Sequence, residues 1–114
     1  MPIARKFPAA VVVLALAATP VAMAGGASVT TTPTHPRIGQ AVRMLVKGMK
    51  PGEKVKAYEV APNHQTRTLY PRKRVNAQGV LLVTITATVK GKHTWTFTGR
   101  TSRRRATTYY VVVK

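Results

Sequence analysis

Apolar and polar residues alternate with a period of two along most of the chain after position 26. In the segment 80–88, Val83, Ile85 and Ala87 alternate with threonines, and Leu81 falls on the same face. In the segment 92–98, Trp95 and Phe97 likewise alternate with threonines. This period is typical of strands with one buried face, whereas an amphipathic helix would show a period of 3.6. We therefore expect Trp95 and Phe97 to lie in a hydrophobic core between β-sheets.

Seven such segments are separated by clusters of Gly, Pro and Asn, which favour turns. The predicted strands are 27–32, 40–47, 54–60, 66–70, 80–88, 92–98 and 106–113. Seven short strands with frequent turns predict an all-β fold, a sandwich or a barrel. The link between the fifth and sixth strands, 89–91, is short, and links of about two residues favour a hairpin within one sheet.

The first 24 residues have the three parts of a secretory signal peptide. Arg5 and Lys6 precede an apolar run, 7–18, and Ala22-Met23-Ala24 is a typical cleavage pattern. As a helix the run would be about 18 Å long, too short for a bilayer core of about 30 Å. We expect residues 1–24 to be a signal peptide and 25–114 a single secreted domain, with membrane contact only before cleavage.

Several motifs of the predicted domain occur in the order typical of a known family. They are Gly39-Gln40 before the second strand, Pro51-Gly52-Glu53 before the third, Gln78-Gly79 before the long fifth strand, and Gly91 with Trp95 and Phe97 in the sixth. In this order the chain resembles secreted bacterial Ig-like domains. The resemblance implies a seven-stranded antiparallel Ig-like β-sandwich that acts as a structural or adhesive module, without catalytic activity.

Composition excludes most catalytic chemistry. The chain has 114 residues, no cysteine and no aspartate, and its only acidic side chains are Glu53 and Glu59. Paired carboxylates for acid–base work and a thiol nucleophile are therefore missing. Neither mature serine, Ser28 or Ser102, lies in a Gly-x-Ser-x-Gly turn. We expect no enzymatic activity and no cofactor, and we interpret the two glutamates as surface partners of neighbouring lysines.

The histidines do not form a metal-ligand pattern. His35, His64 and His93 are each 29 residues apart and have no cysteine beside them, whereas zinc ligands come in close pairs. We expect no metal site. His93 is interpreted as a semi-buried core residue because it shares the face of Trp95, and the other two as loop residues.

Positive charge dominates the surface chemistry, with 19 Lys and Arg against 2 acidic residues and a net charge of +17. If the seven strands run alternately up and down, the second, fourth and sixth connections meet at one end. That end would collect eight cationic residues, and we expect them to form a candidate polyanion site: Lys50, Arg72, Lys73, Arg74, Arg100, Arg103, Arg104 and Arg105. Such a cluster attracts polyanions, here an anionic cell-wall polymer or polysaccharide. Charge that serves only nonspecific adhesion or solubility is the alternative.

A different class of function remains open, a cationic secreted effector that acts on membranes or nucleic acid through charge alone. Sequence-specific reading of nucleic acid is not expected, because no recognition-helix pattern occurs and no aromatic residues interleave the basic runs. The tyrosines Tyr58, Tyr70, Tyr109 and Tyr110 would contact sugar rings if they lay on one exposed face. Because neighbours in a strand point to opposite faces, one of Tyr109 and Tyr110 is expected in the core.

Overall fold

The structure is a computed structural model that describes residues 22–24 and 26–114. The described residues form strands, turns and loops without a helix. The predicted charged and apolar parts of the signal peptide lie outside the described residues, so the cleavage prediction stays a prediction. The strands are β1 (Ala22–Ala24), β2 (Ser28–Thr32), β3 (Ala41–Lys47), β4 (Val55–Val60), β5 (Thr66–Leu69), β6 (Leu81–Thr86), β7 (Gly91–Gly99) and β8 (Arg105–Val112).

The strands form two antiparallel sheets that pack face to face. One sheet has the order β1-β8-β7-β4-β5 and the other the order β2-β3-β6. Strands β2 to β8 correspond to the seven predicted strands and confirm an all-β, seven-stranded Ig-like sandwich. The short strand β1 was not predicted. It pairs with the start of β8, with Ala22 opposite Thr107 and Ala24 opposite Arg105.

A short link between β6 and β7 favours a hairpin, but these two strands lie in different sheets. Strand β6 ends at Thr86, two residues before its predicted end, which leaves residues 87–90 as the connection. Ala87 bonds outside the β3–β6 ladder: its N–H donates to Gln40 O (2.9 Å) and its O accepts from Gly39 N (2.8 Å). The chain therefore leaves the ladder early enough to cross to the other sheet.

Strand β2 and the residues after it close one side of the sandwich. The Thr31 and Thr108 hydroxyls form a buried hydrogen bond of 2.7 Å between the two sheets. After the cis peptide bond Thr32–Pro33, the chain passes to the edge of β8, where Val111 N donates to Thr34 O (3.0 Å). One chain segment thus contacts both sheets and ties them together.

The core lies between the sheets and is centred on aromatic residues of β7 and β8. Trp95 and Phe97 are fully buried, as the alternation predicts, and their rings stack with centroids 6.3 Å apart. Trp95 Nε1 donates to the Tyr110 hydroxyl at 3.3 Å. Burial raises the pKa of Tyr110 to about 12. Tyr110 is the core member of the tyrosine pair and Tyr109 lies partly exposed on the opposite face.

We expect the native fluorescence of Trp95, the only tryptophan, to be blue-shifted and to move to longer wavelength on denaturation, because no part of its side chain reaches solvent. Trp95→Ala should lower the free energy of unfolding by about 3–5 kcal/mol, since the truncation leaves a large cavity. Urea denaturation followed by circular dichroism measures this loss. A native emission spectrum like that of free tryptophan would contradict the core assignment.

Candidate anion-binding site

Three connections meet at one end of the sandwich: β3–β4 (48–54), β5–β6 (70–80) and β7–β8 (100–104). Their backbones bond to each other. Gly52 N donates to Val75 O (2.8 Å), Val75 N donates to Glu53 O (2.9 Å), and Arg100 N donates to Lys54 O (2.9 Å). Because β5 ends at Leu69 and no strand follows before Leu81, residues 70–80 form a single connection. The alternating strand directions therefore gather the same three connections that the sequence predicts, and we call this region the basic end.

The carboxylate of Glu53 joins two of these connections. Its Oε1 accepts hydrogen bonds from the backbone N–H groups of Thr101 (3.0 Å) and Ser102 (2.9 Å). Its Oε2 accepts from Lys50 N (2.7 Å) and from the Ser102 hydroxyl (2.8 Å). The side chain is buried, with 4% of the residue exposed. The prediction of a surface ion pair with lysine is wrong for Glu53, because backbone donors surround its carboxylate.

The environment of Glu53 favours its charged form. Burial alone raises the pKa of this carboxyl, but the hydrogen bonds from Ser102, Lys50 and Thr101 together outweigh burial and hold the pKa below its ordinary value. Gly99 allows this arrangement, since a Cβ added there would lie 2.5 Å from a carboxylate oxygen of Glu53. The motif Pro51-Gly52-Glu53 thus supplies a turn and also the anion that organises the basic end.

The eight candidate residues lie exposed in or beside the three connections, and Arg105 begins β8 at the same end. Two of them also bond to the β3–β4 connection. Arg74 Nη1 donates to Gly52 O (3.2 Å) and Arg104 Nη1 donates to Gly48 O (2.8 Å). The ion pairs of the described residues involve none of the eight. Their charge therefore faces solvent without a carboxylate partner.

A cleft of about 260 Å³ opens between the β7–β8 connection and the outer face of the larger sheet. It is lined by Lys56, Tyr70, Thr98, Gly99, Arg100 and Arg103. The guanidinium of Arg100 lies 5.6 Å from the centroid of the Tyr70 ring. Lys56 was not among the predicted site residues. The alternation of buried Val55 and Ala57 around it places its side chain on the outer face, and that signal is present in the sequence.

The chain matches the family model for the macroglobulin-like domain over residues 24–112. It belongs to the macroglobulin-like domain family. Macroglobulin-like domains have an Ig-like fold and are typically non-catalytic, in agreement with the β-sandwich described above. Neither a search of curated proteins nor a search of solved structures gave a significant match.

The β2–β3, β4–β5 and β6–β7 connections of this macroglobulin-like domain lie at the opposite end, beside a cluster of buried His93, buried Glu59 and half-exposed Arg67. His93 Nδ1 lies 2.7 Å from Glu59 Oε2, and its Nε2 lies 2.7 Å from Val89 O. Because a carbonyl oxygen only accepts, Nε2 donates to Val89 O, and one proton lies between Nδ1 and Glu59 Oε2. Arg67 Nε lies 3.2 Å from Glu59 Oε1, so the predicted lysine partner of Glu59 is also wrong.

Of the three histidines at this end, His93 packs in the core. His93 is 1% exposed and its ring stacks on Tyr110, as its interpretation as a core residue predicts. His35 and His64 lie in exposed connections. Among the described residues, no three His, Cys, Asp or Glu side chains are grouped as metal ligands would be. The described part of the chain likewise contains no helix long and apolar enough to span a membrane.

Glu53→Gln should lower the free energy of unfolding of the macroglobulin-like domain by about 2–4 kcal/mol at pH 7, because an amide nitrogen would face backbone donors. Urea denaturation at a series of pH values measures the difference between wild type and variant. Since the folded pKa is lowered, the carboxylate contributes fully above the ordinary glutamic acid value near 4.5 and loses its contribution as the pH falls through the folded value. A difference that is negligible at pH 7, or that grows in acid, would contradict this role.

Proposed function

We propose that this chain is a secreted, non-enzymatic macroglobulin-like module of the bacterial cell envelope that binds anionic polymers through its basic end. The observation that supports this most directly is the collection of eight exposed cationic residues by three connections that bond to one another. Cations gathered on one surface raise a local positive potential and speed the encounter with a polyanion. Candidate ligands are anionic cell-wall polymers and acidic polysaccharides.

Export is supported by the pattern of the first 24 residues and by the frequent extracellular location of macroglobulin-like domains. Cleavage after Ala24 would leave 90 residues and lower the net charge from +17 to +15. The removed part carries only Arg5 and Lys6 among the basic residues, so all eight candidate cations would remain, whereas β1 and its pairing with Arg105 would be lost. The mature domain would therefore meet acidic envelope polymers with every cation of its candidate site present.

The proposal is tested by the affinity of the mature domain for labelled heparin over a salt series. If about six anionic groups are neutralised, the logarithm of the binding constant should fall against the logarithm of salt concentration with a slope of about −5. A quadruple variant of the basic end, Arg72→Gln, Lys73→Gln, Arg100→Gln and Arg103→Asn, should bind about tenfold more weakly at physiological salt. The matched control removes four exposed cations elsewhere: Arg37→Gln, Lys90→Gln, Lys92→Gln and Lys114→Gln.

The control should weaken binding by less than about twofold, because those four side chains lie away from the basic end. Equal weakening by the two variants would mean that only net charge matters, and would overturn the proposal. Loss of binding already below physiological ionic strength would also overturn it. Leakage of anionic vesicles caused by the mature domain would favour a membrane-active effector instead.

A further inference from the structure

The cations that line the cleft at the basic end are held on ordered backbone. Lys56 lies on β4, where it pairs with Thr98 of β7. Arg100 and Arg103 lie in a turn closed by two backbone hydrogen bonds, from Arg103 N to Gly99 O (3.0 Å) and from Gly99 N to Arg104 O (2.8 Å). Binding at such a site has a smaller entropic cost than binding by flexible loops.

The buried Glu53 carboxylate strengthens this order. It accepts the N–H groups of Thr101 and Ser102, the two residues between Arg100 and Arg103. The turn is thereby anchored from inside while its two arginines lie exposed. No carboxylate side chain lines the cleft, so the three cations that do line it are available to an anionic ligand.

An exposed aromatic ring accompanies these cations. Tyr70 is 60% exposed and its ring lies beside the Arg100 guanidinium. An exposed phenol ring next to cations suits a ligand that has both a negative group and a flat apolar face, such as a sugar ring that bears a carboxylate or a sulfate. A chain of phosphates has no flat apolar face that could pack on the phenol ring.

The surface continues from the cleft across the outer face of the larger sheet. In-register partners share a face, so the row Lys56, Thr98 and Arg105 lies beside the row formed by Thr68, Tyr58, Thr96 and Thr107. Tyr58 is 39% exposed and the threonine hydroxyls around it are half-buried or exposed. Hydroxyls and an aromatic ring on an exposed sheet face are suited to hydrogen bonding and stacking with further sugar units.

We propose that the cleft is the anion subsite of a surface for acidic polysaccharides, in which Lys56, Arg100 and Arg103 bind the carboxylate or sulfate and Tyr70 packs on the sugar ring. The chain of the glycan runs from the cleft over Tyr58 and the threonines of the outer face. This inference rests on the proposed function and narrows the ligand from polyanions in general to anions carried on sugars.

The site is tested with two probes, heparin as a sulfated polysaccharide and inorganic polyphosphate as an anionic chain without sugars. The cleft variant combines Lys56→Gln, Arg100→Gln and Arg103→Asn. Asparagine is chosen because Arg103 has a φ of 65°, which asparagine tolerates. The matched control, Lys50→Gln, Arg72→Gln and Lys73→Gln, removes the same charge from the same end outside the cleft. Urea denaturation verifies that each variant is folded.

We expect the cleft variant to weaken heparin binding by about tenfold and the control by about threefold or less. Tyr70→Ala should weaken heparin binding by about fivefold, because the contact between the phenol ring and the sugar is lost. The affinity of this variant for polyphosphate should stay within about twofold of the wild-type affinity. Tyr70→Phe, which keeps the ring, should bind heparin like wild type. These results together would support an acidic-glycan site.

Three other outcomes separate failure of this inference from failure of the proposed function. If both polymers bind but the cleft and control variants are equally weakened, the basic end functions and the cleft is not its site. If Tyr70→Ala weakens the binding of heparin and of polyphosphate equally, or weakens neither, the inference that the site prefers anions carried on sugars is overturned. If neither polymer binds wild type at physiological salt, the proposed function fails and the glycan site fails with it.

Discussion

The carboxylate of Glu53 is the interaction around which the basic end is arranged. It accepts backbone N–H groups from the β3–β4 and β7–β8 connections, and the backbone at Gly52 and Glu53 bonds in turn to Val75 of the β5–β6 connection. Eight exposed cations on these connections repel one another. A buried anion among their backbones opposes that repulsion, and the Arg74 and Arg104 bonds to carbonyl oxygens add to the connection between loops.

Much of the fold could be predicted because apolar and polar residues that alternate with a period of two indicate a strand with one buried face. Alternation placed Trp95 and Phe97 in the core and located seven strands within about two residues of their bounds. The prediction differs from the structure where hydrogen bonds to residues distant in sequence decide where a strand ends or pairs. Ala87 continues the apolar alternation of β6, yet it bonds to Gly39 and Gln40, outside the β3–β6 ladder, which ends at Thr86. The link to β7 therefore looks shorter in the sequence than it is, and a short link favours a hairpin. No pattern within 22–24 indicates that β1 would pair with β8.

The site could be predicted in outline only. Arg72 and Arg104 lie at the same end because the strands run alternately up and down. Which connections meet at an end depends on the number of strands and not on side-chain detail. The role of Glu53 could not be read from its neighbours, since its donors Thr101 and Ser102 lie 48 and 49 residues away. Nearby lysines suggested an ion pair, but a buried carboxylate is stabilised better by several N–H groups than by one exposed ammonium. Glu59 shows the same effect, with His93 34 residues away as its partner.

Backbone amide hydrogen exchange, measured by NMR in wild type and in Glu53→Gln, tests most directly whether this carboxylate organises the basic end. The account predicts that the amides of Lys50, Thr101 and Ser102 are protected in wild type and lose protection together in the variant. The loss of protection at these three amides should be at least about tenfold greater than any loss at amides within strands β7 and β8, as expected when each of the three loses one local hydrogen bond. The account would be contradicted if the three amides were unprotected in wild type, or if their protection were the same in the variant as in wild type.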